Sequence, residues 1–356
     1  MLGLLEALVT AESPTSDPGA VAACGRLVSE AAAGLIGEKP EEIVVDGRTH
    51  LRWRFGSQTD VLLVGHLDTV WPLGTIDRWP FSISDGIATG PGAFDMKAGI
   101  VQLLHALARL PELDGVTVLL TADEEIGSPT SRALIEETAA GARAALVLEP
   151  AAGAALKTAR KGVSNYQVSV QGRAAHAGLE PEKGANATVE IAHAVLALTA
   201  LARPELGTTV TPTVLHSGTA TNVVPAEAVL QVDVRTATAE EQQRVDVAVR
   251  RLVASVPGTT VAVDGAPNRP PLPSSASANL FARASRLAAQ LGLPALEAAE
   301  VGGGSDGNFT AALGVPTLDG LGAVGGGAHA EDEHVVVDAM EQRTALLAAL
   351  VSDLLA

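Results

Sequence analysis

The chain has 356 residues, more than one ordinary hydrophobic core accommodates, so its length favours two domains. Its composition, 47% hydrophobic and 18% charged, is that of a folded globular protein and shows no sign of intrinsic disorder. The formal net charge of -17 argues against nucleic acid or an anionic membrane as partner, since both require a basic patch. The single cysteine, Cys24, excludes an internal disulfide and a cysteine-rich metal site, and it is most simply a small core residue on a helix.

The N-terminal segment MLGLLEALVT has no basic region and contains Glu6, so it does not look like a secretory signal. No apolar run approaches the ~20 residues that a membrane-spanning helix needs. We therefore expect a soluble cytoplasmic protein, unless a leader has been removed.

The first 160 residues alternate between helical and strand patterns. Helices are predicted at 3–9, 18–35, 96–110 and 130–139, and strands at 42–46, 50–55, 61–68, 116–121 and 144–148. The last three strands are continuous apolar runs, as expected of strands buried on both faces of a parallel sheet. This alternation predicts an α/β domain with a mostly parallel sheet.

The pattern changes near residue 160. The predicted elements that follow are a strand at 166–171, an Ala-rich helix at 184–202, strands at 208–216 and 228–235, and a helix at 240–254. This β-α-β-β-α-β type of order suits a small antiparallel sheet carrying two helices, a ferredoxin-like arrangement.

The α/β pattern returns after a Pro-rich stretch at 265–275, which is a predicted linker. Helices at 277–291, from about 306, and at 338–355 follow it. We therefore predict one α/β domain, residues 1–160 and 267–356, interrupted by an inserted α+β domain at 161–266.

Carboxylates and histidines gather at the carboxyl ends of the predicted strands, which face one crevice in an open parallel sheet. They are His66, Asp68, Asp95, Glu124, Glu125, Glu149 and His329. Crowded acidic groups either titrate or hold cations, and carboxylates mixed with imidazoles suit zinc or another borderline divalent metal. The set supplies the about six or seven ligand atoms that two metals sharing a carboxylate need. Taken singly, each acid is more simply a helix cap or loop end, and His66 a hydrogen-bonded core histidine.

Spacing suggests further roles for two pairs in this set. His66 and Asp68 are two apart on a strand, so they point the same way, and Asp68 could accept from the second ring nitrogen of a ligating His66. Glu124 and Glu125 are adjacent and diverge, so one carboxylate could bind metal while its neighbour faces a water as general base.

The stretches that carry these residues, in chain order, are GHLDTV, GPGAFDMKAG, ADEEIGS, LEP, GRAAHAG, TNVVPAEA with VDVR, GGGSDGNF and GAHAEDEH. From about residue 60 to the end, they resemble the dinuclear zinc peptidases and amidohydrolases that include glutamate carboxypeptidase, acetylornithine deacetylase, succinyl-diaminopimelate desuccinylase and aminoacylase. GGGSDGNF and the NRPP stretch at 268–271 resemble the glutamate carboxypeptidase branch most. The resemblance implies a mostly parallel-sheet zinc-peptidase catalytic domain with an inserted lid and dimerisation domain.

The same resemblance implies which residues bind metal. His66, Asp95 and Glu149 would hold one ion. Asp95, Glu125 and His329 would hold the second, so that Asp95 bridges the two ions.

Catalytic and substrate-binding roles are also implied by the resemblance. Asp68 would orient His66, and Glu124 would be the general base. His176, on the inserted domain, would reach a partner subunit's site and stabilise the oxyanion, although it could instead be a turn histidine. The residues that would grip the substrate's carboxylate or carbonyl are Asn222, Arg235 and Arg269. Arg235 could instead be a surface charge at a strand end.

The reaction implied is hydrolysis of an amide bond by a water that two zinc ions per subunit activate, with cobalt or manganese as alternatives. Our first hypothesis is a carboxypeptidase that releases a C-terminal amino acid, glutamate among the candidates, from a small peptide or acyl conjugate. The alternative is an N-acyl-amino-acid deacylase. A non-catalytic binding protein of this fold would be expected to lack a ligand or the base, and none is missing. We expect a homodimer that forms through the inserted domain.

Overall fold

The computed structural model describes residues 1–356, and the chain divides into two compact units. Unit 1 comprises Met1–Arg160, Leu272–Val301 and Ser305–Ala356, and unit 2 comprises Lys161–Pro271 and Gly302–Gly304.

The α-helices are α1 (Leu2–Thr10), α2 (Pro18–Ile36), α3 (Thr75–Arg78), α4 (Ala98–Leu107), α5 (Arg132–Ala139), α6 (Ala187–Thr199), α7 (Ala239–Val249), α8 (Ser274–Gln290), α9 (Gly307–Ala312) and α10 (Val337–Leu355). The strands are β1 (Glu41–Val45), β2 (Arg48–Arg54), β3 (Val61–His66), β4 (Ser82–Ser84), β5 (Ile87–Thr89), β6 (Val116–Thr121), β7 (Ala144–Val147), β8 (Leu156–Arg160), β9 (Gly162–Gln171), β10 (Ala175–His176), β11 (Thr209–Ser217), β12 (Val223–Val224), β13 (Glu227–Thr236), β14 (Thr260–Arg269), β15 (Ala298–Val301), β16 (Thr317–Leu318), β17 (Gly325–Gly326) and β18 (His334–Val336).

The central sheet of unit 1 has the strand order β1-β2-β6-β3-β7-β16. Strands β6, β3, β7 and β16 are parallel, and β1 and β2 extend the sheet in antiparallel fashion. Every residue of β3, β6 and β7 is buried, as their continuous apolar sequences predict. On one face Leu63 belongs to the large core formed with α2, α4 and α10, and on the other Leu62 and Val64 pack with α5 and α9. The predicted α/β fold with a mostly parallel sheet is confirmed.

Helix α2 is long and apolar enough to cross a membrane by length and composition, which the sequence analysis did not anticipate. Its residues Val21, Cys24, Val28 and Ala32 form one face that is buried in the core of unit 1. A core helix passes the same test of length and composition, so this feature is weak evidence for a membrane span.

Unit 2 is built on an antiparallel four-stranded sheet in the order β11-β13-β9-β14. Tyr166, Val168 and Val170 of β9 form a core with Ile191 of α6 and Val245 of α7. The chain order β9-α6-β11-β13-α7-β14 is the predicted β-α-β-β-α-β arrangement.

The predicted linker at 265–275 is wrong in its first half. Strand β14 continues through Pro267 to Arg269, which pairs with Val163, because an edge strand tolerates proline. The chain therefore passes between the units at Pro271–Leu272 rather than at 266–267. Gly302–Gly304 also belongs to unit 2, and a Cβ at Gly304 would lie only 2.9 Å from side-chain atoms of both Val163 and Arg269.

Candidate metal centre

His66 is the last residue of β3, and its imidazole is almost completely buried. Its Nδ1 lies 2.9 Å from the backbone oxygen of Asp68 and 3.6 Å from the Asp68 carboxylate. Because a carbonyl oxygen can only accept, Nδ1 carries a hydrogen, and in the neutral ring Nε2 presents its lone pair. That Nε2 lies 3.3 Å from Asp95 Oδ1 and 3.5 Å from Glu149 Oε1.

The Asp68 carboxylate has partners that the sequence analysis did not foresee. It accepts hydrogen bonds from the Thr15 hydroxyl at 2.7 Å and from the backbone N–H groups of Glu124 and Glu125, each at 3.2 Å. Burial alone would raise the pKa of Asp68, but the contacts with His66, Thr15 and the Glu125 N–H outweigh it and lower that pKa. Asp68 thus connects the histidine at the end of β3 to the turn after β6 that carries both glutamates.

A second group of side chains lies beside the first. His329 Nε2 is 3.1 Å from Glu125 Oε2 and 3.5 Å from Asp95 Oδ2. Asp95 therefore presents one carboxylate oxygen to each histidine, as expected for a bridging ligand. The His329 side chain is half exposed, whereas Glu125 and Asp95 are largely buried.

The electrostatics of these contacts favour positive charge at the centre. Burial lowers the pKa of His66, but the neighbouring carboxylates of Asp68, Asp95 and Glu149 outweigh it and raise that pKa well above its usual value. Hydrogen bonds to Asp95 and Glu125 raise the pKa of His329 to about 10. Burial raises the pKa of Glu125, and the contact with His329 offsets this effect only in part. The carboxylates thus draw protons onto both imidazoles, and a divalent cation would satisfy the same preference.

The residues present fit such a cation. His66 Nε2, Asp95 Oδ1 and Glu125 Oε1 are buried and have no hydrogen-bond partner, and each such atom costs about 1–3 kcal/mol if it stays unsatisfied. Ligand atoms of His66, Asp95 and Glu125 lie within 4.8 Å of one another, and so do those of His66, Glu124 and Glu149. Glu124, expected as the base, therefore lies within reach of the proposed ligands. Imidazole nitrogen with carboxylate oxygen suits zinc or a similar divalent metal.

In unit 2 the structure brings His176 and Asn222 together. Strands β10 and β12 pair, and Ala177 N donates to the backbone oxygen of Asn222 at 2.9 Å. The Nδ1 of His176 accepts from the N–H groups of Gly178 and Leu179, both at 3.1 Å. The neutral His176 ring therefore carries its proton on Nε2, and the side chain is exposed.

Arg235 and Arg269 belong to the four-stranded sheet of unit 2, where both pair in register with Val163 near the start of β9. The Arg235 guanidinium makes a two-pronged contact with Asp233, at 2.8–3.2 Å, whereas Arg269 is nearly buried. Strand β9 runs from Val163 to Gln171, which at ~3.3 Å per residue is roughly 25 Å, and the chain continues beyond it to His176. The two pairs thus lie at or beyond opposite ends of β9.

Comparison with known proteins identifies the relatives of this arrangement. Residues 62–353 match Peptidase family M20/M25/M40. The chain belongs to this family. M20 enzymes are metal-dependent hydrolases, so the predictions of the family and of an enzyme acting on amide bonds are confirmed.

Individual relatives cover most of this M20 chain. Carboxypeptidase G2 from Pseudomonas sp. (strain RS-16) is 32% identical over 369 residues, which cover 98% of this chain and 88% of that protein. Succinyl-diaminopimelate desuccinylase from Dechloromonas aromatica (strain RCB) is 29% identical over 352 residues, with 90% of each covered. The crystal structure of aminopeptidase PepT from Bacillus cereus ATCC 10987 is similar in fold, with a TM-score of 0.77 and 21% identity over 100% of this chain and 98% of that one.

The M20 centre also includes a basic residue that the sequence analysis missed. Arg160, at the end of β8, places Nη2 3.1 Å from Glu149 Oε2, and Lys157 Nζ lies 3.9 Å from the same oxygen. Burial and the charge of Asp95 raise the pKa of Glu149, but these cations and His66 outweigh them and lower it to about 2. Arg160 is in turn held by the fully buried Asp319, at 2.7 and 2.9 Å. In the sequence, the only indication of this basic residue is the ARKG stretch that follows LEP, and that stretch has no spacing characteristic of a site.

Proposed function

We propose that this M20 family chain is a metallo-carboxypeptidase that cleaves the amide bond before a C-terminal amino acid, with glutamate as the first candidate. The observation that carries the proposal is the convergence of buried, unpartnered imidazole and carboxylate atoms at the strand ends of unit 1. Similarity to carboxypeptidase G2 over nearly the whole chain supports a carboxypeptidase.

Two divalent ions, zinc with cobalt or manganese as substitutes, are proposed per chain. His66, Asp95 and Glu149 would hold one, and Asp95, Glu125 and His329 the other. When bound, the ions supply positive charge that polarises the scissile carbonyl and acidifies a water.

Glu124 is the proposed general base. It is nearly buried, and its backbone N–H is tied to Asp68, so its position relative to His66 is fixed. Its carboxylate would take a proton from the attacking water and pass that proton to the departing amine. Asp68 would hold the ring of His66 and the turn of Glu124 together.

Unit 2 is proposed to supply substrate contacts. The Nε2–H of His176 is a donor for the oxyanion that develops on the carbonyl, an interaction of a few kcal/mol in comparable sites. Asn222 lies beside it, immediately before the paired strand β12. Arg269, with Arg235 next to the same strand, would bind the substrate's carboxylate through a planar fork. Arg235 is paired with Asp233 at 2.8 Å.

The separation of these two pairs supports a homodimer. Residues at opposite ends of a strand roughly 25 Å long are too far apart for one small substrate, so the two pairs would serve the sites of different chains. The exposed edge strand β11, with Val214 and Leu215, and helix α6, with Leu196, are the proposed contact. We also propose a cytoplasmic location, with which a single buried, unpaired cysteine is compatible.

The second candidate is an N-acyl-amino-acid deacylase. Similarity to succinyl-diaminopimelate desuccinylases over 90% or more of the chain favours it. The bond cleaved and the catalytic residues would be the same, and only the acyl group would differ.

One experiment tests both candidates. Metal content by elemental analysis is combined with hydrolysis of acetyl-, peptidyl- and aroyl-amino acids, with and without chelator. We expect two ions per chain and chelator-sensitive release of a C-terminal amino acid from peptidyl or aroyl substrates. Preferred turnover of acetyl or succinyl substrates selects the deacylase, and neither metal nor turnover rejects both.

A further inference from the structure

Glu333 is a fully buried carboxylate with four donors around it. Its Oε1 accepts from the backbone N–H groups of Phe94 and Asp95, both at 2.9 Å. Its Oε2 accepts from the Gly92 N–H at 3.1 Å and from the indole of Trp71 at 2.8 Å. Three of the four donors belong to the turn that carries Asp95.

Glu333 itself belongs to the other ligand loop, because it follows His329 by four positions in AHAEDEH. The residues between them are exposed, so Glu333 is the residue after His329 in this loop whose side chain is buried. The Glu333 carboxylate thus joins the turn of Asp95 to the loop of His329. In these two segments, His329 Nε2 lies 3.5 Å from Asp95 Oδ2. His66, by contrast, ends β3 of the central sheet, and Glu149 follows β7 of the same sheet.

We propose that Glu333 is a positioning residue that fixes Asp95 and His329 relative to each other. It would thereby set the metal affinity of the Asp95–Glu125–His329 position more strongly than that of the His66–Asp95–Glu149 position. Asp95 and His329, two ligands of the first position, lie on the segments that Glu333 joins. Of the ligands of the second position, only Asp95 does. The inference rests on the proposed metal assignment.

Glu333→Gln is the informative change because it preserves size. The amide offers one acceptor oxygen and turns an NH2 group toward two donors, so the carboxylate's four hydrogen bonds cannot all form. Changes in groups that orient metal ligands typically lower metal affinity about 10–100-fold. We expect a loss of this size in the affinity of the Asp95–Glu125–His329 position and not in that of the other position.

The test is a zinc titration against a competing chelator, together with the visible spectrum of the cobalt-substituted protein. Wild type should bind two ions. Glu333→Gln should keep one near wild-type affinity, bind the other at least about 10-fold more weakly, and change the cobalt spectrum. Glu331→Gln, an exposed glutamate in the same loop, is the matched control and should behave as wild type.

Unchanged binding of both ions, or equal weakening of both, by a folded Glu333→Gln protein overturns the inference and leaves the proposed function intact. Wild type without metal overturns the proposed function as well. If circular dichroism shows that Glu333→Gln does not fold, Glu333→Asp replaces it. That variant keeps the charge on a shorter side chain, and it must show the same selective loss.

Discussion

Single buried carboxylates organise the candidate centre by acting on backbone as well as on side chains. Asp68 lies beside the ring of His66 while it accepts the N–H groups of the two glutamates, and Glu333 accepts three N–H groups of the Asp95 turn. A charged acceptor makes each of these bonds stronger than a neutral one would be. The ligand positions therefore depend on acids that would not themselves bind metal.

Replacing Glu124 with Gln tests the proposed base. The amide cannot accept a proton, so we expect turnover to fall by about 10²–10⁴-fold while two ions remain bound. Steady-state kinetics and elemental analysis measure the two quantities. The exposed Glu112→Gln serves as control and should retain activity. Turnover close to wild type in Glu124→Gln would remove Glu124 from the mechanism.

Replacing Arg160 with Leu tests the buried ion pair beneath Glu149. Asp319, which is fully buried, would lose its guanidinium partner, and breaking a buried pair in this way costs about 3–5 kcal/mol of unfolding free energy. Denaturant unfolding measures the change. The control is Arg109→Leu, which breaks the exposed pair with Glu341 and should cost about 0–1 kcal/mol. Equal effects of the two substitutions would contradict the argument.

At the scale of elements, apolar strands place the chemistry, and a polar cap begins helix α6. β3 and β6 are buried throughout, and His66 and Glu124 stand at or just beyond their carboxyl ends. In unit 2, helix α6 begins after Asn186, whose side-chain oxygen accepts from Thr188 N at 2.9 Å and Val189 N at 3.2 Å. These bonds satisfy donors that the first helical turn otherwise leaves free.

We expect Asn186→Ala to lower the free energy of unfolding by about 1 kcal/mol, because it removes this cap. Asn186→Asp keeps an acceptor at the same place and should cost much less. Denaturant titration of the three proteins gives the comparison. A loss as large for Asp as for Ala would show that the cap is not the cause.

On the scale of the whole molecule, the inserted unit separates two sets of proposed substrate contacts. His176 and Asn222 lie at the β10–β12 pair, beyond one end of β9, and Arg235 and Arg269 pair with Val163 near its other end. In the proposed homodimer, two chains related by symmetry would complete each other's sites.

Mixing two inactive variants tests this arrangement. Glu124→Gln and His176→Ala should each lose most activity. If His176 acts on the partner's site, a mixed dimer contains one site with both residues intact, and random exchange of subunits restores about a quarter of wild-type activity. Light scattering establishes the oligomeric state. A mixed dimer without activity, or a monomer with normal turnover, would exclude the arrangement.

The sequence by itself determined most of the long helices and buried strands and the order in which they occur. The apolar run at 116–121 coincides with β6, and the predicted helix at 338–355 differs from α10 by one residue, because burial imposes a period that is local in the chain. Strand ends then predicted where His66 and Glu149 would lie, since parallel strands share one edge.

Only the tertiary structure decided which distant groups meet. Arg160 contacts Asp319, and Glu333 contacts the turn of Asp95, across separations of more than 150 residues. The passage of the chain from unit 2 to unit 1 at Pro271–Leu272 was likewise decided by the tertiary structure. Such contacts arise from how packed elements are placed in three dimensions, and no local period of hydrophobic residues encodes that placement.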